Sequence, residues 1–353
     1  MNSVRKIQPK LIFAGRTRFI NFYLIIMIGV TGLSLNPEMS FASSSASKCI
    51  SLGKIEKIKS DYFECAKSAG QLKLKKVSLS PWQKNLYSST KLTKLPENLV
   101  EPIESAAGWT DNRFRRDLNW LSDEGNSPMS DGVPVNNGNG VKVLLMGDSL
   151  GAAIGPTFLQ MQKLFTWNLR VIFTSSCHIA DTKISFKSKE ELEKCNIART
   201  DRIKVINDFK PEILVLIEDP LNPVLPNKGE TSIQTWQKGL ESSLAQLVKS
   251  QKMKIVMISR PTGVNKSLQD CLKRNTQLSN DCFGSVSKDL SVRRAQKIEV
   301  EKVGGSFVDL TPILCMNGTC PPFIGNALVY RDHIHFTYRF SEMLGDELKK
   351  YFT

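Results

Sequence analysis

Only three histidines stand in this chain of 353 residues: His178, His333 and His335. Two of them fall in the run Tyr330-Arg331-Asp332-His333-Ile334-His335, near the C-terminus. Asp332 and His335 are three positions apart, close enough for one turn to set the carboxylate beside the imidazole. An imidazole held in this way is a general base for a hydroxyl nucleophile. Gly147-Asp148-Ser149-Leu150, directly after the apolar run 141–146, offers that hydroxyl. A serine on the turn from a strand into a helix points into the crevice where open α/β sheets bind ligands. Backbone N–H groups at the helix N-terminus can stabilise an oxyanion there. Ser149, Asp332 and His335 are the candidate catalytic set. Gly147, Asp148 and Leu150 are candidate turn or oxyanion support, Gly147 for tightness and Asp148 as an acceptor of backbone N–H groups. Plainer readings stay open. Asp148-Ser149 also suits an ordinary helix N-cap. The paired histidines also suit a solvated loop or a weak metal site, and His333 competes with His335 as the base.

The elements that must position these residues alternate in type. Short apolar runs at 141–146, 169–174, 213–217, 254–259 and 306–310 read as buried strands. Helical sequence separates them at 155–165, at 188–209 (opened by a Ser188/Glu191 capping box), at 232–250 and at 287–303. Gly304-Gly305 stops the last of these, and a final helix is expected at 337–352. This pattern predicts an α/β fold, a three-layer α/β/α domain with about five parallel strands over 141–353. Residues 43–140 form a lysine-rich extension and linker, with no long strand and a helix expected at 54–69. Trp82, Trp109, Phe114 and Trp120 are its apolar anchors. Its boundary is the Gly-, Pro- and Asn-rich stretch 122–140.

These residues resemble the SGNH (GDSL-like) hydrolases, and more narrowly the SGNH domain fused to membrane acyltransferase-3 proteins that modify bacterial surface polysaccharides. Besides Gly147-Asp148-Ser149-Leu150 and Asp332-x-x-His335, the resemblance rests on Cys177 and Cys195 around the second strand. It also rests on the run Val308-Asp309-Leu310-Thr311-Pro312-Ile313-Leu314-Cys315, on Cys320-Pro321-Pro322, on Gly325 through Asp332 and on His335-Phe336-Thr337. It implies an acyl-serine mechanism without a cofactor and a cell-envelope glycan as substrate. For a transferase it implies a separate membrane acyltransferase as acyl donor. The family's oxyanion Gly and Asn are missing: those places read Ser175-Ser176-Cys177-His178 and Ile217-Glu218-Asp219-Pro220. Leu150 also replaces a His frequent in the fused domains. The departures leave room for a non-enzymatic alternative, a glycan-binding module on the same scaffold. Gly147-x-Ser149-x-Gly151 also fits the elbow of α/β-hydrolases, but that fold places several strands before its serine, whereas here Ser149 follows the first clear one.

Residues 1–42 read as an export signal: five basic residues, an uncharged apolar run at 19–35, then Ser40-Phe41-Ala42. A retained membrane anchor is the alternative. Export places the rest at the outer face of the inner membrane or in the periplasm. The formal net charge is +14, about +10 beyond residue 42. That favours anionic partners such as envelope polysaccharide or lipid headgroups. Export and the lack of an aromatic–basic motif argue against nucleic acid. The eight cysteines, Cys49, Cys65, Cys177, Cys195, Cys271, Cys282, Cys315 and Cys320, suit an oxidising compartment. Their order suggests four local pairs, although order alone does not fix connectivity. Zinc is disfavoured because no Cys-x-x-Cys pair occurs.

Overall fold

A computed structural model describes residues 49 and 51–353, apart from 107–110, 119–132, 135–138, 186–188, 222–223, 251, 274–276 and 288. The branched apolar runs form its centre. Strands β5 (Lys142–Gly147), β6 (Asn168–Phe173), β7 (Ile213–Ile217), β8 (Lys254–Ile258) and β12 (Ser306–Val308) are parallel, in the order β12-β8-β7-β5-β6. A two-residue strand, β4 (Val133–Pro134), joins the β6 edge antiparallel. Side chains alternate between faces with period two. Val143, Leu145, Val215 and Ile217 thus join one core, and Leu144, Met146, Leu214 and Leu216 the other. Helices α4 (Ser149–Phe165) and α10 (Tyr338–Leu348) cover the first face. Helices α5 (Lys189–Phe209), α6 (Ser232–Ser250) and α8 (Leu290–Lys302) cover the second. The expected three-layer α/β/α architecture is what the chain adopts.

The sheet order sets the site. From β5 the chain crosses to β6 on one side, then returns to β7 on the other, so β5 and β7 are neighbours whose following loops diverge. Such a switch point opens a crevice at the strands' carboxyl ends, and Ser149 stands there.

The N-terminal region differs from expectation. Instead of a helix at 54–69 there is an antiparallel sheet of β1 (Ile55–Ile58), β2 (Asp61–Ser68) and β3 (Gln71–Val77). Ile55, Ile58, Tyr62 and Ala66 have helical spacing. Lys59, however, takes a left-handed φ of 55° that reverses the chain between β1 and β2, and strand pairing with β3 then wins. The eight-residue β2 also overturns the expectation of no long strand. Helices α1 (Pro81–Ser89), α2 (Ile103–Ala106) and α3 (Asn112–Leu118) follow. Leu86, Phe114 and Leu118 join the core beneath α4, and Trp82 packs on Phe340 and donates to the Ile313 carbonyl at 2.9 Å. Residues from Cys49 to Thr353 cluster as one unit. Trp109, Trp120, Ser188 of the capping box, the export signal and most of the 122–140 boundary lie outside the described residues. Among the described residues no helix is long and apolar enough to cross a membrane.

Short elements decorate the carboxyl edge of the sheet: α7 (Leu268–Cys271), α9 (Thr311–Leu314) and three two-stranded ladders. The ladders pair β9 (Leu272–Lys273) with β10 (Gln277–Leu278), β11 (Gly284–Ser285) with β13 (Thr319–Cys320), and β14 (Phe323–Ile324) with β15 (Ala327–Leu328). Four disulfides, Cys49–Cys65, Cys177–Cys195, Cys271–Cys282 and Cys315–Cys320, pair the cysteines locally as their order suggested.

Candidate active site

Ser149 is the first residue of α4, and its position is fixed by its neighbours. Gly147 ends β5 so close to β7 that a Cβ there would lie 2.1 Å from the Ile217 carbonyl oxygen. Glycine is therefore required for close strand packing at this point. Asp148 is wholly buried and caps α4 by accepting from the Leu150 amide at 2.8 Å. Its other oxygen accepts from the Asp219 amide, also at 2.8 Å, across the switch point. Burial, opposed by those two N–H donors, pushes the Asp148 carboxyl up to about 7. The Leu150 amide is thus engaged in the turn and is unavailable to an oxyanion. In this geometry Leu150 is turn support.

His335 arrives from the far end of the chain. Tyr330 bridges Phe336, and the Arg331 amide donates to the His335 carbonyl at 2.9 Å, closing the loop between them. Thr337 caps α10 immediately afterwards. The Val264 amide holds the loop from outside through the His333 carbonyl, where Gly263 leaves no room for a Cβ. Within the loop, Asp332 Oδ1 accepts from the amides of Ile334 and His335, both at 2.8 Å. Asp332 Oδ2 lies 2.7 Å from His335 Nδ1, and His335 Nε2 lies 2.8 Å from Ser149 Oγ. Burial opposes ionisation of Asp332. The hydrogen bonds from the His335 ring and from the two amides outweigh it and hold the carboxyl well below its usual range. An ionised carboxylate only accepts, so Nδ1 carries the ring proton and Nε2 accepts from the serine hydroxyl. His333 is exposed and makes no such contact. The three residues singled out in the sequence therefore meet, although 186 positions separate Ser149 from His335.

Other residues brace this site without having been singled out. Arg202 of α5 is buried, and its guanidinium donates to the carbonyls of Gly147 (3.2 Å), Cys177 (3.2 Å) and His178 (3.1 Å). It thereby ties the nucleophile turn to the loop after β6, which the Cys177–Cys195 disulfide also anchors to α5. Burial lowers its pKa only to about 10, so it stays charged. On the other side Arg260 donates to Asp219 at 2.6 Å and to Asp289, the residue before α8. An arginine inside a helical run carries no sequence signal for this role. Of the places where the family's oxyanion residues would stand, Ser176 adopts a left-handed φ of 54° that suits glycine, and Asp219 has its amide engaged by Asp148. A cavity of about 350 Å³ between α5 and α6, lined by Arg199, Arg202 and Met146 among others, does not include Ser149, Asp332 or His335. Among the described residues no group of His, Cys, Asp and Glu is placed to hold a metal ion.

A serine at a strand end, a histidine on its hydroxyl and a half-buried carboxylate behind the ring are the parts of an acyl-transfer site. The family model described as "SGNH domain (fused to AT3 domains)" matches residues 119–350, about two thirds of the chain. The chain belongs to this SGNH family. Solved structures similar to it include the periplasmic domain of a lipopolysaccharide acetyltransferase from Salmonella ser. Paratyphi A. That structure is 15% identical with a TM-score of 0.49, covering 61% of this chain and 85% of its own. A GDSL-like lipase of Parabacteroides merdae is 11% identical with a TM-score of 0.36, covering 62% and 98%. A mutant acetyl-xylooligosaccharide esterase of Geobacillus is 14% identical with a TM-score of 0.36, covering 60% and 94%. No curated protein matches the chain.

Proposed function

We propose that the chain is an exported, serine-dependent O-acyl transferase or esterase, acting on O-acetyl groups of cell-envelope polysaccharide. The observation that carries this reading is the continuous hydrogen-bonded line from Asp332 through His335 to Ser149 Oγ. In the reaction, Ser149 Oγ bonds to the carbonyl carbon of an ester while His335 Nε2 takes its proton. The carbon–oxygen bond to the leaving alcohol breaks, and His335 returns the proton to that alcohol. The acyl-serine is then resolved by a glycan hydroxyl, giving transfer, or by water, giving hydrolysis. Asp332 stabilises the imidazolium formed in each half-reaction. The transient oxyanion is met by the Ser149 amide at the N-terminus of α4 and by the turn at Ser175-Ser176, which lies beside it through the Thr174 amide on the Gly147 carbonyl.

SGNH family membership, together with an N-terminal sequence that reads as an export signal, supports a cell-envelope glycan as substrate. The same membership favours a separate membrane acyltransferase as donor when the acceptor is a glycan. The engaged Asp219 amide supports the competing reading, a glycan-binding module that turns over slowly or not at all. Labelling by a fluorophosphonate, followed by assay on acetylated and deacetylated envelope glycans, separates the two. Labelling with release or uptake of acetate fits the enzyme. Glycan binding by an unlabelled, folded protein fits the module.

A further inference from the structure

The β1–β3 sheet has no share in the cores. Among the described residues none of the sheet's residues joins a hydrophobic cluster, and only the disulfide-bonded Cys65 is buried within it. Its attachments lie at the β1 end. There Ile55 exchanges two hydrogen bonds with Asn317, the Lys57 amide donates to Tyr87 Oη, and Tyr62 packs edge-on against the Tyr87 ring. β1 pairs with β2 only as far as Glu64. The β2–β3 ribbon beyond Cys65 therefore runs on into solvent and ends in a turn at Ala69-Gly70, both with positive φ. A ribbon that stabilises no core and is nonetheless anchored by a disulfide, Cys49–Cys65, is built as a projection.

Its net charge is positive. Seven lysines and three acidic residues lie between Cys49 and Leu79. Among the described residues, Lys67, Lys73 and Lys75 pair with no carboxylate, and all three are exposed. They surround an exposed leucine, Leu72 (40%). The strand register puts Lys67 and Leu72 on one face of the ribbon and Lys73 and Lys75 on the other. A linear glycan runs along one face and cannot reach both sets. A flat anionic surface met by the ribbon end-on reaches both, and it takes Leu72 at headgroup depth.

We infer that the β2–β3 ribbon docks the protein on an anionic phospholipid surface. The inference rests on the acyl-transfer reading only for its purpose, which is to hold Ser149 near a membrane-borne acyl donor. Each lysine near such a surface contributes about 1 kcal/mol, roughly fivefold in partitioning. The experiment is co-sedimentation of the chain from residue 43 onward, which contains the whole Cys49–Thr353 unit. Vesicles of phosphatidylglycerol with phosphatidylcholine are compared with vesicles of phosphatidylcholine alone. Binding is expected to the anionic vesicles only, and to weaken as salt rises. Lys67→Gln/Lys73→Gln/Lys75→Gln should reduce it on the order of a hundredfold, and Lys→Glu at the same positions further still. Leu72→Ser should weaken what remains. Hydrolysis of soluble p-nitrophenyl acetate should be unchanged in every variant, so loss of docking is distinct from failure of the acyl-transfer reading. Equal binding to both vesicle types, binding indifferent to the substitutions, or binding to a soluble acidic polysaccharide in place of vesicles would each overturn the inference.

Discussion

At the scale of single residues, two histidines two positions apart have different fates. His335 faces Ser149 and Asp332, whereas His333 lies exposed and contributes its carbonyl to Val264. His335→Ala should lower turnover of an activated ester by about 10²–10⁴-fold, the range for losing a general base, and His333→Ala by far less. Steady-state kinetics on both variants checks this, and the reverse order would reassign the base. Asp148 makes a different demand. Its folded pKa, near 7, lies above its usual value of 3.8, so the folded state holds a proton that the unfolded chain releases. Its contribution to stability is therefore complete at acid pH and declines as pH rises from about 4 to about 7. Asp148→Asn cannot ionise and should lack that decline. It should also be less stable overall, because one amide N–H loses its acceptor. Urea titrations at pH 5 and pH 8 should show the gap to wild type narrowing at the higher pH, and parallel behaviour would contradict the assigned burial effect.

At the scale of elements, legibility followed the clarity of the period. The runs at 213–217 and 232–250 coincide with β7 and α6, because each has one unbroken pattern bounded by polar residues. The start of α4 was hidden. Gly151, Gly155 and Pro156 weaken the helical pattern, yet the two glycines let α4 lie against Phe173 and Leu118. The 54–69 stretch misled because its apolar spacing satisfies a helix locally, while the pairing that decides it comes from β3 later in the chain. For the site, Ser149, Asp332 and His335 were legible because their types are rare in combination. Arg202 and Arg260 were not, since their partners are backbone carbonyls and carboxylates brought near only by folding. Arg202 leads to a prediction of its own. Arg202→Met should reduce kcat more than it raises KM, because Arg202 donates to the Gly147 carbonyl in the turn that carries Ser149. It should also lower stability by about 3 kcal/mol, for the loss of charged hydrogen bonds to buried carbonyls. Arg202→Lys should recover part of the stability but little of the alignment, since an ammonium lacks the planar fork. Equal loss in all parameters would make Arg202 merely structural. Removing the Cys177–Cys195 disulfide by paired alanines should cost about 3 kcal/mol for a loop of this length, read by urea unfolding.

At the scale of the molecule, the switch point of a parallel sheet brings the first strand's turn and the last loop before α10 to one place. The same chain carries, apart from its cores, a charged ribbon suited to a surface. Under the proposed function these two features serve one task, taking an acyl group onto a serine near the outer face of a membrane and passing it on. The central claim is covalent acylation of Ser149, and intact-mass analysis after incubation with p-nitrophenyl acetate tests it most directly. Ser149→Ala removes one hydroxyl at the first position of α4 and should change stability by no more than about 0.5–2 kcal/mol, the range for a lost cap, so its fold remains intact as a control. The wild type should gain the mass of one acetyl group, on the peptide containing Ser149, and Ser149→Ala should gain none. An adduct that persists in Ser149→Ala, or hydrolysis of the ester undiminished in Ser149→Ala, would contradict the account.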